Sequence, residues 1–440
     1  MTQPSDVTAR YLTAFRAFAG NGAAGAPPWL KEIREGAIAR FAELGFPTMK
    51  QEEWRFTSVA PIAETPFERP REAVTVAATT VSALGLLAGG PRVVFVDGRH
   101  APALSSVAGL APGVVVAGLG AALQTGPAGE LARRHLARYA RWQQSPFAAL
   151  NTAFLSDGAL VYVPPEVVLE APLELVFLST GGAGAGPTVS HPRSLVIVER
   201  DARATVVETY AGVTDGGYWT NAVTEIVVGD GARAELYRVQ REGARAYHIG
   251  TTHSHQGRDA VLALHVVTLG GRLARHDITT VLGGAGAELI LNGLYLLDDA
   301  QHADHHTVID HAQPHCTSHE FFNGVLDDRA HGVFNGRIVV QPGAQRTDSK
   351  QTNNNLLLST EARADSQPQL EIYADDVKCT HGSTVGPIDP QQLYYLRSRG
   401  LSPETARGLL TYGFGAEILD RMARPAVRAQ LERLVRERLA

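Results

Sequence analysis

Cys379 and His381 stand two residues apart in YADDVKCTHGSTVG, and a thiolate with an imidazole is a ligand pair suited to iron, zinc or copper. If LEIYADDVKCTHGSTVG is a β-strand, residues two apart share one face at about 7 Å between Cα atoms, so both side chains can converge on one ion. Two ligands fall short of the four that a structural zinc or an iron–sulfur cluster usually takes. A site here must be completed by distant residues or by another chain. The segment equally admits a buried free cysteine, or a cysteine nucleophile with a histidine base. Against the nucleophile, Asp375 and Asp376 lie close by in sequence, and negative charge disfavours a thiolate. An acidic pair facing the site would rather suit a cation.

A second set of ligand types lies in QHADHHTVIDHAQPHCTSHE, which holds His302, His305, His306, His311, His315, Cys316 and His319. Thirteen of the 16 histidines fall between His248 and His381. The tract has the composition of a metal-binding segment, yet no pair has zinc-finger or HExxH spacing. Half-exposed strand positions would account for the same histidines. The chain has no G-x-S-x-G, no cysteine-protease signature, no P-loop and no G-x-G-x-x-G after a strand, so it is expected to bind no nucleotide itself.

The elements that must position these residues are mainly β. From about residue 160 to 385, runs rich in Val, Ile, Leu and Thr follow one another with Gly, Asp and Asn between them. A small turn motif recurs in ERDARATV, GDGARAEL, QGRDAVLAL, GGAGAELIL, DDRAHGVF and TEARADSQ, about 30 residues apart save for one wider gap. Strands and turns at that period, without helices, predict a β-solenoid; a β-sandwich is the competitor, but seldom runs so far as one unit.

Helices are expected on either side. VTARYLTAFRAFA and PPWLKEIREGAIARFAELG have apolar residues at three- and four-residue spacing, a small β element follows near 93–120, and GELARRHLARYARWQQSPFAALNTAF reads as helical. The expected division is 1–158 N-terminal and mainly helical, 159–386 solenoid, 387–440 C-terminal and helical. In the last part, Asp389-Pro390 and Ser402-Pro403 open two helices, the second with Ala406, Leu410, Phe414, Ile418 and Met422 on one stripe.

Composition sets the outer limits. The 440 residues are 44% hydrophobic and 19% charged with a net charge of −5, which is ordinary for a folded soluble protein. No basic run points to nucleic acid. The one long uncharged stretch, Ala103–Leu123, is broken by Pro112 and several glycines and predicts no membrane span. Two distant cysteines form no disulfide framework, MTQPSDVTAR has no apolar signal core, and the protein reads as cytoplasmic.

The run from Phe334 through CTHGSTVGPID and on through QQLYYLRSRGLSPETARGLLTYGFGAEIL resembles the SufB/SufD family of iron–sulfur cluster assembly proteins, and LGFPTMKQEEWRFTSV is similar to a motif of its SufD branch. The resemblance implies a right-handed parallel β-helix between helical parts. It implies a non-enzymatic subunit that pairs with SufB as a heterodimer through the β-helix and carries the ATPase SufC on its C-terminal helices. A SufS-type cysteine desulfurase with SufE or SufU would supply sulfur indirectly, and the subunit would help iron reach the site. Isolated, the chain could form a homodimer.

By the same resemblance, His381 and Cys379 would sit at a site shared with SufB, holding iron or a transient iron–sulfur cluster, with His381 the stronger candidate. Tyr394, Leu396, Arg397, Leu409, Leu410, Tyr412, Phe414 and Ile418 would meet SufC, turning the helical stripe towards a partner. No family role falls to the His302–His319 tract. Alternatives are a SufB-like scaffold pairing with itself, against which two cysteines count, and a metal-dependent β-helix enzyme.

Overall fold

The computed structural model describes residues 6–21, 25–70, 74–124, 126–184 and 186–439. Its centre is a parallel β-helix of two long facing sheets, with successive strands alternating between them. One sheet runs through Arg203–Gly212, Arg233–Arg241, Val261–Thr268, Glu288–Leu297, Thr317–Leu326 and Asp348–Leu357 to Lys378–Pro387. The other runs through Tyr218–Val228, Tyr247–Gln256, Leu273–Leu282, His302–His311 and His331–Val340 to Arg363–Ile372. In register, Arg233 lies beside Val261, followed by Glu288, Thr317, Asp348 and Lys378. The step is about 30 residues, the period read from the turn motif.

The motif proves to mark two different corners. ERDARATV, GDGARAEL, QGRDAVLAL and GGAGAELIL form one, while DDRAHGVF and TEARADSQ form the opposite one, which explains the wider gap. At the first corner a left-handed residue recurs in each coil: Asp201, Gly231, Asp259, Gly286, His315 and Arg346, with φ of 56°, 67°, 53°, 74°, 62° and 60°. Their N–H groups form a ladder, Asp201 to the Asp230 carbonyl, Gly231 to Arg258, Asp259 to Ala285, Gly286 to Pro314, His315 to Gln345 and Arg346 to Asp376. Gly and Asp suit this backbone because they tolerate the left-handed region. The next residue in the first four coils is a buried alanine, Ala202, Ala232, Ala260 and Ala287, small enough to let the corner close over the core.

The N-terminal helices Asp6–Asn21, Pro28–Leu44 and Pro146–Ala153 gather Tyr11, Phe15, Phe18, Phe41, Trp54, Phe147 and Phe154 into one cluster against Trp219 and Tyr247 of the β-helix. The small β element near 93–120 is continuous with the β-helix: Arg92–Val96 pairs with Leu173–Ser179, and Val115–Gly118 lies antiparallel to Gly158–Val163. These strands close the N-terminal edges of both sheets. Among the described residues, no strand lies beyond the C-terminal edges, Lys378–Pro387 and Arg363–Ile372.

Helices Pro403–Leu419 and Pro425–Leu439 lie on the outer face of the first sheet. Ile418, Leu419, Met422, Val427, Leu431 and Val435 are buried there with Val207, Val239, Val267, Leu294, Leu296 and Val325. The stripe expected to face a partner is therefore largely spent within the chain, with Ala406, Ile418 and Met422 all buried. None of the described helices is long and apolar enough to cross a membrane.

Candidate functional site

Strand Lys378–Pro387 brings Cys379 and His381 to the open end of the β-helix. Cys379 is in register with Ser349 and His381 with Gln351. Ser349, Gln351, Asn353 and Asn355 are buried and face the interior of their coil. Parallel register preserves facing, so Cys379, His381, Ser383 and Val385 share that inward face. Across the interior, the Ser383 hydroxyl donates to Ser366 on the facing strand at 2.8 Å. With no coil beyond, His381 is exposed, while Cys379 is half-buried and packs on the core. The expected shared face is present, at a place another chain could cover.

Burial, and after it the negative charge of Asp348, pushes the Cys379 thiol up from its ordinary value. The thiol is thus protonated at neutral pH, and metal binding would have to displace a proton. Behind the pair run two polar rows. Ser349 and Ser318 are hydrogen-bonded at 2.7 Å and Ser318 meets His311 Nε2 at 2.8 Å. Gln351 Nε2 donates to Glu320 at 2.6 Å, and burial lifts that carboxyl to about 7. These rows escaped the sequence reading; the coil period, applied backwards from Cys379 and His381, would have found Ser349 and Gln351. Asp376 lies at the corner, where its carboxylate is 3.7 Å from Arg346 and its backbone N–H donates to Gln345.

The His302–His319 tract is divided among four environments. His305 and His311 point into the core and are fully buried. His302 and His306 point outwards beneath the N-terminal part, where Thr57 Oγ1 donates to Asp304 at 2.6 Å and lies 2.8 Å from His302 Nε2. His306 Nε2 is 3.0 Å from Asp304 Oδ1. His315 is a corner residue, and Cys316 takes the position that Ala202, Ala232, Ala260 and Ala287 hold in earlier coils. Burial raises its thiol, as expected for a small core residue. His319 is exposed on the outer face of the other sheet. Among the described residues, no three His, Cys, Asp or Glu side chains are grouped to hold a metal ion.

A feature missed in sequence lies in the EEWRFT stretch. Arg275, which donates to Asp277 and at 2.7 Å to Asp304, also donates to the Glu53 carbonyl at 2.7 Å. The stretch thus fastens the N-terminal part to the β-helix.

Of the residues expected to meet a partner at the C-terminal end, Tyr394 is 75% exposed and Leu409 51%, while Ile418 is enclosed. Helix Pro390–Ser398 buries no residue. Its N-cap Asp389 accepts from the Gln391 N–H at 2.8 Å, and Ser402 caps the next helix from the Thr405 N–H at 3.2 Å. Between these helices and the β-helix end, a groove of about 550 Å³ is lined by Leu356, Val385, Leu409, Leu410 and Phe414.

Comparison with known proteins bears on the whole chain. Residues 177–414 match the family described as SUF system FeS cluster assembly, SufBD core domain, and residues 5–175 match the SufBD protein N-terminal region. An iron–sulfur cluster assembly SufBD family protein of Synechocystis is 31% identical over 413 residues, covering 91% of this chain and 89% of its own. The iron–sulfur cluster assembly protein SufD of Escherichia coli is 31% identical over 408 residues, 91% of each chain. That of Bacillus subtilis is 27% identical over 424 residues, 94% of each.

Proposed function

The chain belongs to the SufB/SufD family of iron–sulfur cluster assembly proteins, and from that premise we propose that it is a SufD-type, non-catalytic subunit of a SufBCD scaffold. One observation carries the reading: the last coil presents Cys379 and His381 on an inward face at an open strand edge. Unpaired edge strands invite strand addition, and an open edge beside an incomplete ligand pair suits a partner that supplies both. SufB is that partner. Iron or the nascent cluster is the cargo, held by His381 with Cys379 assisting and completed by SufB ligands.

SufC would dock on the C-terminal helices through the exposed Tyr394, Arg397 and Leu409 and the half-buried Leu396 and Leu410, beside the 550 Å³ groove. Because these helices rest on the outer face of the same sheet whose last strand carries His381, ATP-driven movement of SufC would strain the shared edge and expose the site. Sulfur would come from a SufS-type desulfurase with SufE or SufU, in the cytoplasm.

The test is co-expression with SufB and SufC candidates of the same host, followed by size exclusion and anaerobic iron and sulfide analysis. Co-migration of all three, with iron and sulfide lost in His381→Ala but complex size kept, is expected. A chain that migrates alone, or a His381→Ala complex with full iron and sulfide, overturns the reading.

A further inference from the structure

A cavity of about 540 Å³ opens between helix Asp6–Asn21, the segment 66–69 and the first coils of the β-helix, far from the strand that carries His381. Phe18, Phe67 and Phe154 supply apolar walls, and Arg10 and Arg69 supply charge. The Arg69 guanidinium lies 4.3 Å from the centre of the Phe18 ring and 5.8 Å from that of Phe154. Among the described residues it makes one hydrogen bond, a 3.3 Å contact to Ser156 Oγ. Arg10 donates to the Ala63 and Thr65 carbonyls. Among the described residues neither guanidinium meets a carboxylate, and the only lining carboxylate, Glu68, is exposed.

The charge is costly where it stands. Arg34 stacks on Phe18 at 5.2 Å, so Arg34 and Arg69 share one ring. Burial, then repulsion from Arg99 and Arg34, lowers Arg69 to about 10. His191 stacks on Phe154 at 5.1 Å and is kept neutral by burial and then by repulsion from Arg69, so it adds no second positive charge. A half-buried cation that meets no carboxylate among the described residues, over aromatic faces and beside an open cavity, favours a ligand that brings an anion to Arg69 and an apolar body to the phenylalanines.

We propose that this cavity binds a small organic monocarboxylate, its carboxylate paired with Arg69 and its apolar portion against Phe18 and Phe154. The site is independent of the cluster-assembly reading, since it shares no residue with it.

The test is calorimetry on the full chain with 4-phenylbutyrate, against 4-phenylbutanol and 4-phenylbutylamine. Saturable binding of one phenylbutyrate per chain is expected, at least tenfold tighter than the alcohol and tighter still than the amine. Arg69→Gln should erase the preference for the carboxylate, and Arg69→Lys should keep part of it. Should Arg69→Gln fail to fold, Ala14→Phe, on the exposed lining of the helix, fills the cavity and should abolish binding. Absence of saturable binding, equal affinity for the three probes, or wild-type binding by Arg69→Gln or by Ala14→Phe overturns the proposal.

Discussion

The Arg275 guanidinium lies 3.6 Å from the centre of the Trp54 ring, joining the N-terminal part to the outer face of the β-helix. Arg275 is fully enclosed, with Asp277 and Asp304 as counter-charges, and Trp54 is 6% exposed against Phe147. Trp54→Ala should cost about 3–5 kcal/mol, the usual loss for a buried tryptophan. Arg275→Met should cost as much, because it leaves the fully buried Asp304 without its counter-charge, beside the half-buried Asp277. Denaturant unfolding measures both losses, and limited proteolysis should cut near residues 45–60 in the variants first.

Acid should unfold the chain from well above the carboxylate range. Burial lowers His305 and His311 to about 4, against an ordinary value near 6.5, so both are neutral in the folded state at pH 6. The unfolded chain takes up their protons first, so stability is full above pH 6.5 and falls as pH drops towards 4. Each contributes about 1.4 kcal/mol per pH unit across that window. Burial would raise Asp304, but Arg275 and His306 hold it well below the usual range, and its contribution is lost only below about pH 4. Denaturant titrations at pH 7, 6 and 5 should show the slope. His305→Phe, placed between Tyr295 and Phe322, should flatten it by one proton.

His315 sits at φ 62° in a corner where the four preceding coils place Asp or Gly and the next one Arg346. The left-handed backbone costs a side-chain-bearing residue about 1–2 kcal/mol, part of which glycine returns as unfolded-chain entropy. His315→Gly should therefore stabilise the protein by about 0.5–1 kcal/mol. The iron and sulfide of a co-expressed complex should stay unchanged, since His315 is a corner residue and no ligand. A destabilised His315→Gly chain, or one whose complex lost iron, would refute the corner assignment.

The solenoid was legible because successive coils repeat one local solution, a left-handed corner followed by a small buried residue that is alanine in the first four, and repetition amplifies a weak signal. The dual identity of the corners was not, since both use acidic or glycine turns before alanine. The facing of Cys379 and His381 followed from strand periodicity alone. The histidine tract misled because composition carries no facing: His305 and His306 are neighbours in sequence but lie on opposite sides of the sheet. Arg275 and Thr57 stayed hidden because their contacts join residues more than 200 positions apart, a distance that neither motif nor period spans.

The state of Cys379 separates a helper ligand from a reactive thiol. With burial first and Asp348 second holding its proton on, the thiol should alkylate slowly with iodoacetamide at pH 7.5, and its rate should reach half-maximum above the ordinary thiol value. Asp348→Asn removes the charge but leaves the burial, so the midpoint should fall and the rate at pH 7.5 should rise a few-fold without reaching that of a free thiol. Cys316, fully buried, should label only on unfolding. Mass spectrometry of the alkylated peptides follows both cysteines in one experiment. Because iron must displace the thiol proton, wild-type iron retention by the co-expressed complex should strengthen with pH, whereas Cys379→Ser should be flatter. A Cys379 that labels rapidly at neutral pH would instead mark a nucleophile, and would sink the helper-ligand assignment.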